Sequence, residues 1–151
     1  MTIVETDRPG AAEGARDLRA LPKGHLHLHL EAGMRPATLL AMSEKLGVDV
    51  PQTSGFVGFT AFGLCYRALL TVLREPEHLE QLIDEIFEDQ AADGVAYVEL
   101  GVSPTFYADV YGSMSAALEK LIAFSDAAAA RHGVAYGLMP TIDRTASAEQ
   151  A

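Results

Sequence analysis

The chain switches repeatedly between two periodicities, and this limits its fold more than any other feature. HLHLHL, His25 to Leu30, alternates strictly with period two, the signature of a strand. VAYVELGV, Val95 to Val102, is mostly apolar, as expected of a parallel strand buried on both faces. VAYGLMPTI, Val134 to Ile142, reads as a third strand. Helical spacing fills the gaps. Pro36 suits the first turn of a helix running through ATLLAMSEKL, and Gly47 suits its stop. Phe56 to about Leu73 is apolar nearly all round, so it is expected to be buried or to cover a pocket. Pro76 opens a third helix that ends near Gly94, with Leu79, Leu82, Ile83, Ile86 and Phe87 at helical spacing and an acidic outer face. Ser113 caps a fourth, which carries Leu118, Leu121, Ile122 and Ala128 and stops at Gly133. Ser147 reads as the cap of a helix that is not completed. Strands alternating with helices predict an α/β fold with a parallel sheet of βα units.

Composition narrows the partners. The chain has 151 residues, 49% of them hydrophobic and 21% charged, which is room for one ordinary domain with a core. Eleven Lys and Arg against 21 Asp and Glu leave a formal charge of −10, which repels a phosphate backbone and argues against nucleic acid. A small-molecule partner is expected instead. Cys65 is the only cysteine, so an internal disulfide and a cysteine-rich zinc knuckle are both excluded, and a reducing cytoplasm fits. Residues 1–20 mix charged and small residues, read as a flexible leader rather than a secretion signal, and leave 21–151 as the domain. No run approaches the roughly 18 apolar residues of a membrane span.

GHLHLHLEAG, Gly24 to Gly33, carries the chemistry. On a regular strand His25, His27 and His29 share one face, and residues two apart can converge on one ion. Imidazole nitrogen suits Zn²⁺ and other late divalent ions. In a (β/α) barrel the chemistry gathers at the carboxyl ends of the strands, which favours His27 and His29 as ligands over His25. Glu31 keeps the same parity just past the strand, where it can meet a substrate hydroxyl. The competing reading is a set of satisfied polar side chains in a crowded interior, but three imidazoles there need partners for every nitrogen. His78 and His132 are expected on solvated helix surfaces.

LPKGHLHLHLEAGMRPATLL resembles the opening of the adenosine deaminase family of amidohydrolases, through Pro22, Lys23, His27, His29, Leu30, Glu31, Arg35, Pro36, Thr38 and Leu39. FTAF with its apolar helix, DGVAYVEL followed by Ser103 and Pro104, and YGLMPTIDR are similar to later blocks of that family. The resemblance implies the first part, about three βα units, of a TIM-type (β/α)₈ barrel. It implies one catalytic divalent metal, usually zinc, and hydrolytic removal of an amino group from a purine nucleoside such as adenosine. By it His27 and His29 are metal ligands, Glu31 takes the place of an aspartate that contacts the ribose, and Phe59 and Phe62 line an apolar pocket wall. Plain helix core is the alternative for the two phenylalanines.

The sequence also departs from the family pattern. Glu31 is one methylene longer than Asp, Ala32 comes before the glycine at Gly33, and Gly101 replaces a frequent arginine. These changes leave room for adenine or a modified adenosine as the substrate. A complete barrel takes about 250 residues, so the remaining ligands and the general acid fall outside this sequence. The chain is therefore expected to be an N-terminal portion with no catalytic residue of its own, inactive alone. Other metal-dependent amidohydrolases and a non-catalytic remnant of the fold are the competing functions.

Overall fold

A computed structural model of the chain describes residues 17–50, 54–55 and 57–142. The leader expected over 1–20 falls outside them up to residue 16, and Leu18–Ala20 form a short 3₁₀ turn. The Ser147 cap also lies outside the described residues. The elements are β1 (Lys23–His29), α1 (Pro36–Leu46), α2 (Phe59–Leu70), α3 (Pro76–Ala92), β2 (Val95–Val102), α4 (Ala108–Tyr111), α5 (Met114–His132) and β3 (Ala135–Pro140). The three strands form one sheet in the order β1-β2-β3, both pairs parallel. This is the α/β arrangement the sequence predicts, as the first part of a barrel.

The helix ends follow local chemistry. Pro36 and Pro76 occupy first-turn positions of α1 and α3, where a missing N–H costs nothing. Gly47 and Gly133 close α1 and α5 in the left-handed conformation, at φ 65° and 70°. The Ser113 hydroxyl accepts the Ala116 amide at 3.1 Å and so caps α5.

The sheet has two unlike faces. Val98, Leu100 and Val102 on β2 are buried and lie beside Tyr136, Leu138 and Pro140 of β3. This face packs under α3 and α5 through Leu82, Ile83, Ile86, Phe87 and Leu121. The core is therefore one layer of helices on one side of the sheet. The opposite face carries His29, Tyr97, Glu99, Gly101, Gly137 and Met139.

β1 departs from the regular strand the sequence suggests. His25 pairs with Val98 and Leu28 with Leu100, so β1 spends three residues where β2 spends two. The extra residue is a bulge, and His27 within it has φ 62°. A one-residue slip reverses side-chain parity. His25 consequently leaves the face of His27 and His29, and its Nδ1 lies 2.9 Å from Gln90 Oε1 on α3. Leu26 is left exposed, while Leu28 and Leu30 pack with the core.

Two other histidines are placed differently from expectation. His78 is buried rather than solvated, because α3 begins under the turn that follows α2. Its Nδ1 bonds the Val72 carbonyl at 2.8 Å. His132 is mostly covered, and its Nε2 lies 2.9 Å from Asp84 Oδ1, tying the end of α5 to α3.

Candidate metal centre and adjoining recess

β1 ends at His29, and the bulge sets His27 and His29 side by side with ring centroids 5.2 Å apart and planes at 60°. Gly101 flanks His29 on β2. A Cβ added there would sit 3.7 Å from His29 Nδ1 and 3.5 Å from Met139 Cε, so the missing side chain keeps that side of the imidazole clear. Two neighbouring imidazoles supply two ligands of the kind a zinc ion takes, whose catalytic sites usually use three protein ligands and a water. Among the described residues no three His, Cys, Asp or Glu side chains gather into a metal cluster.

Immediately after β1 the backbone tightens into a 3₁₀ turn, Leu30–Gly33, which buries Glu31 completely. The turn sits close on α3, since a Cβ on Gly33 would lie 2.6 Å from Ile86 Cδ1. Beyond it Arg35 clamps the start of α1 onto α3. Its Nε donates to Asp89 Oδ2 at 3.0 Å, and its other donors reach Asp89 Oδ1 at 2.7 Å and Glu88 Oε2 at 2.6 Å. These pairs position the turn that holds Glu31.

Glu31 does not point into open solvent. Its two carboxylate oxygens each accept a tyrosine hydroxyl, Oε2 from Tyr66 on α2 and Oε1 from Tyr107 at the end of the Pro104–Tyr107 turn. Burial, reinforced by the negative charge of Glu31, pushes both phenols above the ordinary tyrosine range. Tyr66 and Tyr107 therefore remain protonated donors. Sequence reasoning missed both. The available signal was one hydroxyl-bearing aromatic, Tyr66, four residues after Phe62 in a largely apolar helix.

An aromatic series crosses the site. The His29 ring meets Tyr66 edge-on at 6.0 Å, Tyr66 lies 6.2 Å from Phe62, and Phe62 lies 6.1 Å from Phe59. Phe59 is 85% exposed and Phe62 45%, so neither belongs to a helix core. Only Leu69 of α2 is buried, so α2 covers a recess rather than filling the core. The recess, about 270 Å³, lies between α2 and the start of α1, and Phe62, Glu31 and Tyr66 line it. Tyr66 joins the two parts of the site, with its ring against His29 and its hydroxyl on Glu31.

A parallel βα sheet with its polar side chains at the carboxyl end of β1 defines the class as the start of an α/β-barrel protein. Comparison with known proteins agrees and narrows it. The adenosine deaminase family model matches residues 22–151, and the chain belongs to that family. A putative adenosine/adenine deaminase of Streptomyces virginiae is 37% identical over 143 residues, covering 87% of this chain and 42% of the relative. An adenosine deaminase of Mycolicibacterium vanbaalenii is 32% identical over 124 residues, 73% of this chain and 34% of the relative. Among solved structures, an amidohydrolase from Burkhoderia ambifaria with bound Zn superposes with TM-score 0.74 at 28% identity, over 88% of this chain and 39% of that one. An adenine deaminase from Arthrobacter aurescens shares the fold, with TM-score 0.64 at 22% identity over 78% of this chain and 38% of that one. The chain therefore spans between about a third and two fifths of the length of these relatives.

Proposed function

We propose that this chain is the N-terminal portion of a hydrolase that deaminates a purine nucleoside, adenosine or an adenosine-like compound, with release of ammonia. The observation that carries the reading is the His27–His29 pair at the carboxyl end of β1, 5.2 Å apart and beside an aromatic wall. In the whole protein these two imidazoles would hold one zinc ion together with groups outside this sequence, and the metal would supply a water activated near neutral pH. Within this chain the work is binding and orientation. Phe59 and Phe62 offer flat apolar surface to a purine ring. Glu31 is the acceptor for a substrate donor, held in place by Tyr66 and Tyr107. Gly101 keeps His29 unobstructed. The general acid would come from outside this sequence, so the isolated chain is expected to be inactive. The single cysteine suits a cytoplasmic enzyme.

One observation favours a second reading, with the free base adenine as substrate. Both oxygens of Glu31 already accept tyrosine hydroxyls, so a ribose hydroxyl would have to share an acceptor.

The test is zinc content and ammonia release of the purified 151-residue chain beside its His27→Ala, His29→Ala double variant. Weak zinc retention that disappears in the variant, with no turnover of adenosine or adenine, is expected. Ammonia release by the isolated chain would overturn its inactivity, and zinc bound equally by the variant would overturn the ligand assignment.

A further inference from the structure

Glu99 is the one carboxylate of the three strands, and it shares the open face of the sheet with His29, Tyr97 and Gly101. It is half-buried, and among the described residues it makes no hydrogen bond or ion pair. A charge so placed gains from a partner. On the β3 side its neighbour is Gly137, where a Cβ would collide with the Tyr97 hydroxyl, so Tyr97 fills that side. The β1 side is open. Glu99 stands opposite the bulge between His25 and Leu28, and one pleat, roughly 6.6 Å, before Gly101. The space a side chain at 101 would take is bordered by His29 Nδ1 at 3.7 Å, the Leu28 carbonyl at 3.7 Å and the flexible end of Met139 at 3.5 Å. The arginine frequent there in the family would fill it. The ring nitrogens of His29 also have no hydrogen-bond partner among the described residues. An acceptor without a donor and a ring without an acceptor therefore lie on one face, with a glycine between them. An imidazole that holds a metal through one nitrogen ordinarily donates its other N–H to a carboxylate, a carbonyl or a water, which fixes the ring and its tautomer.

We propose that Glu99 is the positioning residue for His29. Its carboxylate accepts Nδ1–H across the space at Gly101 and leaves Nε2 for the metal. The role rests on the reading of His29 as a ligand, whereas the pairing is a property of the metal-free chain.

The experiment uses the intact 151-residue chain. Nitrogen NMR of the His29 ring, without metal at mildly alkaline pH, reads the tautomer, and competition with a chromophoric chelator reads zinc affinity. Wild type should show the Nδ1–H tautomer. Glu99→Met, of similar shape but without an acceptor, should show Nε2–H and bind zinc about tenfold or more weakly. Glu99→Gln, whose amide oxygen still accepts, should keep Nδ1–H. An Nε2–H tautomer in the wild type would overturn the proposal without any variant. Nδ1–H retained in Glu99→Met would assign the acceptor to the Leu28 carbonyl and overturn it too. Unchanged zinc affinity in Glu99→Met, with zinc lost in the His27→Ala, His29→Ala variant, would overturn the positioning role. Zinc bound equally by that double variant would overturn the ligand assignment and the role with it, while the tautomer would still decide the pairing.

Discussion

Replacing Tyr107 by Phe tests the buried carboxylate directly. Tyr107 is 1% exposed and Glu31 is fully buried, so no solvent stands ready to replace the lost hydroxyl. Phenylalanine fills nearly the same volume, which removes the donor without opening a cavity. A hydrogen bond to a charged group contributes about 1.5–3 kcal/mol, and a buried acceptor left short of a donor belongs in that range. Tyr66 makes the matching bond to the other oxygen from a half-buried position that borders the recess. Water can enter there when the hydroxyl is removed, so Tyr66→Phe is expected to cost only about 0.5–1.5 kcal/mol. Urea unfolding followed by circular dichroism at neutral pH reads both. With a slope of about 1–3 kcal/mol per molar urea, the Tyr107 variant should unfold roughly 1 M earlier than the wild type. A Tyr107→Phe midpoint equal to wild type, or a larger loss in Tyr66→Phe, would refute the assignment of Glu31 as a carboxylate held chiefly from the core side.

Three further expectations use the same unfolding assay. Burial raises Tyr66 and Tyr107, and pushes Tyr111 and Tyr136 up to about 12, so above pH ~10 the unfolded chain sheds protons that the folded chain keeps. Stability is therefore full below pH ~10 and falls as pH rises toward 12, by up to about 1.4 kcal/mol per pH unit for the buried Tyr107 and by less for the more exposed Tyr66, Tyr111 and Tyr136, whose charges water screens, and a midpoint unchanged between about pH 9 and 11 would contradict this. Ser113→Ala removes the acceptor for the Ala116 amide at the start of α5 and should cost about 1 kcal/mol, whereas Ser115→Ala, within the exposed first turn, serves as the control. Gly33→Ala places a Cβ 2.6 Å from Ile86 Cδ1 and should cost about 1–3 kcal/mol by overpacking; a neutral effect would mean that the turn does not rest on α3 as described.

Much of the scaffold could be read from residues alone because its signals are local. Pro36 and Pro76 start helices, Gly47 and Gly133 end them, and Ser113 caps α5 through its own side chain. VAYVELGV marks β2 with its observed limits. The errors share one cause, which is dependence on contacts distant in sequence. His78 follows helical spacing that reads as surface, but the turn after α2 covers it and the Val72 carbonyl takes its Nδ1. Tyr107 lies 76 residues from Glu31, and no spacing rule connects them. The short turn and α4 that deliver Tyr107 were likewise absent from the sequence reading, since their few residues establish no periodicity.

The histidine run illustrates how a pairing read from alternation can rest on an incomplete picture of the strand. Strict alternation puts three imidazoles on one face and leaves position along the strand as the only reason to prefer two. The bulge at His27 supplies a stronger reason: it turns His25 toward Gln90 on α3 and brings His27 and His29 together. The cost is a non-glycine residue at φ 62°, a conformation of the kind that persists where the surroundings enforce it, often at functional sites. The next turn continues the same economy of space. Glu31 is drawn inside by Tyr66 and Tyr107, and Tyr66 also lies against His29. A ligand that displaces the Tyr66 hydroxyl from Glu31 must therefore change the packing around His29 as well. The histidine pair and the recess are joined through one side chain, so a ligand in one should register in the ring environment of the other.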